Sequence, residues 1–207
     1  MGRGKFITLE GVEGVGKTTA LSGVISICQD LLGKRVIHTR EPGGTIIAER
    51  FRDILLENNK EKINRETELL LFFAGRAQHV SELIEPSLRD GAYVISDRFL
   101  DATYAYQGAG RGIETIKINN LVDIVHPNLK PDITFLLDAP LSVCLKRMSA
   151  RKTKDRFEKE NLLFFEKVRE GYLQRASQEP DRIKVIDASG SQEEVIESIK
   201  SILLGYF

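Results

Sequence analysis

The chain predicts an α/β fold with a central parallel sheet of about five strands and helices on both faces. Three observations carry this. Short β-prone runs alternate with helical stretches along the whole chain, the signature of strand–helix–strand units. One of the runs, Ala92-Tyr-Val-Ile-Ser96, is apolar almost throughout, as a parallel strand covered on both faces must be. The first run opens directly into a glycine-rich loop and then a helix. With 207 residues there is enough chain for one full sheet and its core, so residues 1–207 are expected to form a single domain.

The elements follow in order. Phe6-Ile-Thr-Leu-Glu10 is the first strand, and Thr18 to Leu32 carries apolar residues at helical spacing. Gly33 closes that helix, and Arg35-Val-Ile-His-Thr39 is the second strand. The sharp turn Arg40-Glu-Pro-Gly-Gly-Thr45 follows, with Thr45 capping a helix from Ile46 to Glu57. Asn64 to Leu88 holds a long apolar stripe, with a kink or late turn expected at Pro86. After the third strand, Leu100 to Tyr106 reads as a short helix and Gly108-Ala-Gly-Arg-Gly112 as a flexible break. Glu114 to Val125 is a helix stopped by His126-Pro127, and Ile133-Thr-Phe-Leu-Leu137 is the fourth strand, ending in Asp138. Leu141 to Met148 is helical, and Phe157 to Ser177 is a long amphipathic helix. Ile183-Lys-Val-Ile186 is the fifth strand, and Glu193 to Leu204 the closing helix.

The loop itself is Gly11-Val-Glu-Gly-Val-Gly-Lys-Thr18, which fits G-x-x-x-x-G-K-[ST]. Its glycines let successive backbone N–H groups turn inward toward phosphate oxygens. Lys17 adds a mobile charge for the outer phosphates, and the Thr18 hydroxyl can ligate Mg²⁺. Gly11, Gly14, Val15, Gly16, Lys17, Thr18 and Thr19 are therefore the expected nucleotide-binding residues, in a three-layer P-loop NTPase fold.

Composition narrows the partners. Lys+Arg and Asp+Glu balance at 30 each, so no overall field draws the chain to nucleic acid or an acidic membrane. Local basic clusters gain meaning against that neutral background. Cys28 and Cys144 lack metal-ligand spacing and read as buried thiols of a reducing, cytoplasmic protein. No apolar run is long enough to span a bilayer. His38, His79 and His126 show neither metal nor triad spacing and are expected to be structural.

Four further constellations bear on chemistry. Asp97-Arg98 stands at the end of the third strand, where ligands bind in open α/β sheets. Asp97 can hold Mg²⁺ and Arg98 can clamp a second phosphate, or the two can be a surface ion pair. Arg40 in its glycine-proline turn can meet an anion, or the turn can be merely a turn. Arg147, Arg151, Lys152, Lys154 and Arg156 crowd the gap between two helices, either as a solvated face or as an arginine-rich lid over about 148–157. Phe72 and Arg76 are helical neighbours able to stack on and hydrogen-bond a nucleobase, or else a core ring beside a surface charge.

Taken together, these segments resemble the bacterial type of the thymidylate kinase family, P-loop nucleoside monophosphate kinases. The resemblance runs from Phe6 to about Val195. It is carried by the strand and loop 6–19, Thr39-Arg-Glu-Pro-Gly-Gly-Thr45, Leu70-Leu-Phe-Phe-Ala-Gly-Arg76, Asp97-Arg-Phe-Leu-Asp-Ala-Thr-Tyr-Ala-Tyr-Gln107, Asp155-Arg-Phe-Glu158 and Val185-Ile-Asp-Ala-Ser189. It implies transfer of the γ-phosphoryl of ATP to dTMP with Mg²⁺ held through Thr18 and Asp97, and a homodimer. It further implies that Arg98 holds the acceptor phosphate with Arg40 or Arg52 assisting, and that Phe72 stacks on thymine. Arg76, Thr103 and Gln107 would lie at the base edge, Tyr106 against the sugar 2′ position and Glu13 near the 3′-OH. Lys17, Asp97, Arg98 and the lid's Arg151 are the implied catalytic groups. The loop's variable positions, Val12, Glu13 and Val15, include no arginine, so the lid must supply one. Ala102 and Ser149 depart from residues common in the family, a serine and a second lid arginine respectively. The rival readings are a related P-loop kinase with another acceptor, such as a deoxynucleoside, and a nucleotide-driven switch. The switch lacks the Asn-Lys-x-Asp segment by which such proteins read guanine.

Overall fold

The computed structural model describes residues 2–58, 61–149 and 155–206. Five strands build one parallel sheet: β1 (Phe6–Glu10), β2 (Val36–Arg40), β3 (Tyr93–Asp97), β4 (Ile133–Asp138) and β5 (Ile183–Asp187), in the order β2-β3-β1-β4-β5. Burial follows that order. All of β1 and nearly all of β3 and β4 are buried, whereas the edge strands β2 and β5 are partly open to solvent.

Alternate residues of the central strands feed two cores, which is why their sequences read as continuous apolar runs. Ile7, Leu9 and Ile95 join Val24, Ile199 and Leu203 on one face. Phe6 and Val94 join Phe73, Ile84 and Ile118 on the other. The helices are α1 (Lys17–Ser26), α2 (Ile46–Leu56), α3 (Arg65–His79), α4 (Glu85–Arg89), α5 (Leu100–Thr103), α6 (Thr115–Val125), α7 (Leu141–Ser149), α8 (Leu162–Gln178) and α9 (Gln192–Tyr206). Side-chain caps set three of their starts: Thr45 accepts from Ala48 N at 3.3 Å, Asn64 from Glu66 N at 2.8 Å, and Asn161 from Phe164 N at 2.9 Å.

Three expectations need correction in detail. The helix expected from Phe157 begins only at Leu162, because Asn161 caps it there and Asp155 ties down the preceding turn, accepting from Phe157 N and Glu158 N. The expected flexible break around Gly108–Gly112 is instead ordered. After α5 the chain runs on as a π-helical segment, Tyr104–Gly110. Gly110 serves packing there: a Cβ on it would sit 2.7 Å from the Phe164 ring. The turn expected near Pro86 is a second π-helical segment, Val80–Ile84, after which Pro86 opens α4. Residues 150–154 of the expected lid, Arg151 among them, lie outside the described residues. Among the described residues no helix is long and apolar enough to cross a membrane. Cys28 and Cys144 are buried free thiols, and burial pushes the Cys28 thiol up to about 11.

Candidate active site

The sheet order places the C-terminal ends of β1, β2 and β3 side by side, and the residues following each converge on one cavity of about 390 Å³. After β1 comes the loop. Gly11 has φ 137° and Gly14 φ 76°, backbone conformations that disfavour a side chain. Space also forbids one: a Cβ on Gly14 would lie 2.4 Å from the Cys144 carbonyl of α7. Arg147, also from α7, donates to the carbonyls of Val15 at 3.0 Å and Ala188 at 3.3 Å, pinning the loop from outside.

Lys17 opens α1 and donates back to the Gly11 and Val12 carbonyls at 3.0 and 3.2 Å. Withdrawal from water beside Arg98 brings its ammonium down to about 8. Gly14, Gly16, Lys17, Thr18 and Thr19 line the cavity. Gly11 and Val15 do not; their part is to offer carbonyls to Lys17, Arg98 and Arg147.

Asp97 and Arg98 leave β3 on the far side of the loop. Arg98 takes φ 71°, the left-handed region that a side chain adopts only when its surroundings compel it. The compulsion is visible. Its Nη1 donates to the Gly11 carbonyl at 2.9 Å and to the Tyr172 hydroxyl at 2.8 Å; its Nη2 donates to Glu13 Oε1 at 2.8 Å and to the Tyr106 hydroxyl at 3.1 Å. Four of its five N–H groups are spoken for. The Tyr106 hydroxyl donates in turn to the other Glu13 oxygen, and the guanidinium sits 4.9 Å over the Tyr106 ring. Asp97 differs: its Oδ1 is buried with no partner among the described residues, while the residue itself lines the cavity. An orphaned carboxylate oxygen beside Thr18 and Lys17 suits a divalent cation shared with phosphates, since Mg²⁺ takes few protein ligands.

Below the loop lies Glu10, the last residue of β1. Its carboxyl meets the Phe99 amide and the Tyr172 hydroxyl, each at 2.8 Å. Burial, with Asp101 adding to it, raises it to about 8. Its folded value thus exceeds its unfolded one, so its contribution to stability is whole below about 4.5 and is lost as pH rises toward 8. The wild-type melting temperature minus that of Glu10→Gln should fall across pH 5–8, the comparison cancelling opposing groups such as His126, whose ring burial brings down to about 4. A difference that does not change with pH refutes the assignment.

The other half of the cavity is built on α3 and the segment after β3. Arg76 is only 2 % exposed. Its guanidinium donates to Glu41 at 2.8 Å and to Thr103 Oγ1 at 3.0 Å, and lies 5.0 Å from the centres of both the Phe73 and Phe99 rings. Its Nη1 is buried without a partner among the described residues. Burial works against the Glu41 carboxylate, but Arg76 and His79 win and hold it below the usual range. His79 completes the chain, meeting Glu41 at 3.0 Å and Thr39 at 2.6 Å, a structural part as expected for it. Phe72 lines the cavity with its ring 6.1 Å from Phe157. Gln107 lines it too, with its Nε2 donating to Glu68 at 2.8 Å.

The expected residues Glu13, Arg40, Arg52, Phe72, Arg76, Asp97, Arg98, Thr103, Tyr106 and Gln107 thus share one cavity with the loop. Arg40 is bound to Glu49 at 2.9 Å and Arg52 to the Pro42 carbonyl at 2.8 Å. Glu10, Glu41, Glu68 and Tyr172 were not expected. Glu10 and Glu41 each lie inside a quoted segment, so their place in it was available as a signal. Tyr172 lies 162 residues from Glu10 in the chain, and no local pattern reveals it.

Comparison with known proteins agrees with this architecture. The thymidylate kinase family model matches residues 9–199. The thymidylate kinase of Pseudomonas fluorescens is 50% identical over 200 residues, covering 97% of this chain and 95% of that protein. That of Methylobacillus flagellatus is 44% identical over 201 residues, covering 97% of each. The crystal structure of thymidylate kinase from Ehrlichia chaffeensis superposes with a TM-score of 0.79 at 34% identity, covering 98% of this chain and 99% of that one. A family match over most of the chain, full-length relatives and a matching fold lead to one conclusion: this chain belongs to the thymidylate kinase family.

Proposed function

We propose that the chain transfers the γ-phosphoryl of ATP to dTMP, giving dTDP and ADP, by in-line transfer with no covalent enzyme intermediate. The observation that carries this is the single cavity joining a phosphate loop to a pocket of ring, guanidinium and amide groups suited to a nucleobase. The attacking atom is a phosphate oxygen, already ionised at neutral pH, so the site needs positioning and charge rather than a strong base. Backbone amides of the loop cradle the donor phosphates, and Lys17 swings from the Gly11 and Val12 carbonyls to the β- and γ-oxygens. Thr18 and Asp97 would hold Mg²⁺, which when bound neutralises phosphate charge. Arg98, with Arg40 or Arg52, would hold the acceptor phosphate. Phe72 would stack on the base, Arg76, Thr103 and Gln107 would meet its edge, Tyr106 would crowd the 2′ position and Glu13 would approach the 3′-OH. Arg151, from a lid over about 148–157 of the one domain, would supply charge to the transition state.

We place the enzyme in the cytoplasm as a homodimer. Ile47, Ile54 and Leu70, exposed on the neighbouring helices α2 and α3, offer an apolar face for a second copy. A coupled assay of ADP formation tests the acceptor: dTMP must exceed thymidine, dCMP and UMP clearly, and ADP formed without any acceptor would refute the kinase reading. Sedimentation of the same sample reads the dimer, and a monomer at micromolar concentration would remove it.

A further inference from the structure

Glu68 lies behind the cavity rather than in its wall and is only 1 % exposed. Three side chains converge on its carboxylate. Gln107 Nε2 and Arg111 Nε donate to Oε1 at 2.8 and 3.2 Å, and Arg156 Nη1 donates to Oε2 at 2.6 Å. Arg111 also binds Glu160 at 2.6 Å, so two guanidiniums and two carboxylates form a balanced group. A carboxylate so placed can only accept hydrogen bonds. It therefore dictates which end of the Gln107 amide faces it. The NH₂ end turns to Glu68, and Oε1, which makes no hydrogen bond among the described residues, is left for the cavity that Gln107 lines.

We propose that Glu68 is a specificity-determining positioning residue: by locking the Gln107 amide, it makes that side chain an acceptor toward the base and so selects a pyrimidine carrying N3–H over one whose N3 is itself an acceptor. This rests on the proposed acceptor site. Thymine presents a donor at N3, which Gln107 Oε1 satisfies. Cytosine presents a lone pair there, and two acceptors facing each other in a dry pocket repel. A site built to hydrogen-bond one group rejects the analogue lacking it, because its buried polar atoms are left unpaired. The same carboxylate holds Arg156, which belongs to the C-terminal end of the expected lid and lies 4.4 Å over the Phe157 ring at the cavity wall. The lock is thus fastened from both the acceptor side and the lid side.

The test is the ratio of kcat/KM for dTMP to that for dCMP. Glu68→Gln keeps the shape but can present its own carbonyl or NH₂ to Gln107, freeing that amide to reverse and offer a donor to cytosine N3. The ratio should fall about 10-fold, with activity on dCMP rising relative to dTMP and KM for ATP unchanged. Gln107→Leu, with Glu68 intact, should lower the ratio by a similar factor, and the double variant should match Gln107→Leu alone. If Glu68 only supports the fold, Glu68→Gln reduces both substrates equally and the ratio stands, which overturns the proposal. Should Glu68→Gln fail to fold, Gln107→Leu still decides, because an unchanged ratio there removes the lock's target. Failure of the wild type to phosphorylate dTMP would instead refute the underlying acceptor reading, a distinct outcome.

Discussion

Replacing Arg151 by alanine is expected to lower kcat by about 10³-fold or more while leaving ATP affinity within a few-fold, since an arginine acting on the transition state contributes on that scale in P-loop enzymes. The reason lies in what the loop does not offer. Val12 and Val15 are buried, at 2 % and 1 % exposure, and the Glu13 carboxylate is taken by Arg98 and Tyr106. Arg147 is bound to the Val15 and Ala188 carbonyls, and Arg40 and Arg52 lie at the β2 turn with partners of their own. Of the cationic groups described around the cavity, Lys17 alone belongs to the loop, so the charge that develops late must come from elsewhere. Kinetics under saturating dTMP, with ATP affinity measured separately, check this. Equal losses in kcat and in affinity would reduce Arg151 to a ground-state contact.

Arg98→Met should lower kcat/KM for dTMP by about 10²–10³-fold and also lower the melting temperature. Its guanidinium and the Glu13 carboxylate are each 15 % exposed, so the pair is partly buried, and removing one partner costs up to the roughly 3–5 kcal/mol of a fully buried pair because the other is left uncompensated. Tyr106 and Tyr172 lose a donor at the same time, and the Gly11 carbonyl loses one of its two. Arg98→Lys separates charge from geometry. An ammonium cannot reach four acceptors arranged as a fork, so the lysine variant should recover stability only in part and little of the activity. Full activity in Arg98→Lys would show that charge alone matters at this position. Unchanged KM for dTMP in Arg98→Met would exclude it from the acceptor site.

Much of this molecule was legible locally. Each of the five strands appeared where a β-prone run lay between turn residues, and the central three most plainly, because a strand buried on both faces has little freedom to be anything else. Boundaries failed where a local cap or a tertiary contact outweighed propensity. The apolar spacing from Phe157 continued the pattern of α8, yet Asn161 captured the helix start and Asp155 held the turn before it. Gly108–Gly112 looked like a hinge because glycine is a weak helix former, but α8 packs so closely against Gly110 that a Cβ there would clash. Asp97, Arg98 and Lys17 could be placed in one site from their positions at strand ends and in the loop, since the parallel topology brings those ends together.

The charge network beneath the site could not be read that way. Glu10 bonds to Tyr172, Glu41 to Arg76, and Glu68 to Gln107, Arg111 and Arg156, pairs separated by 35 to 162 residues in the chain. A motif records the types of residue needed next to a ligand. It does not record which buried partner fixes the ionisation or the orientation of each, because that partner is chosen by packing across the sheet and between helices. Chemical class and the succession of strands and helices along the chain are therefore encoded in local pattern, where chain neighbours suffice. The pose of each site group, whether Arg98 bent under the loop or Gln107 turned by Glu68, arises only once distant segments share a dry interior, where an unpaired polar group is too costly to leave free.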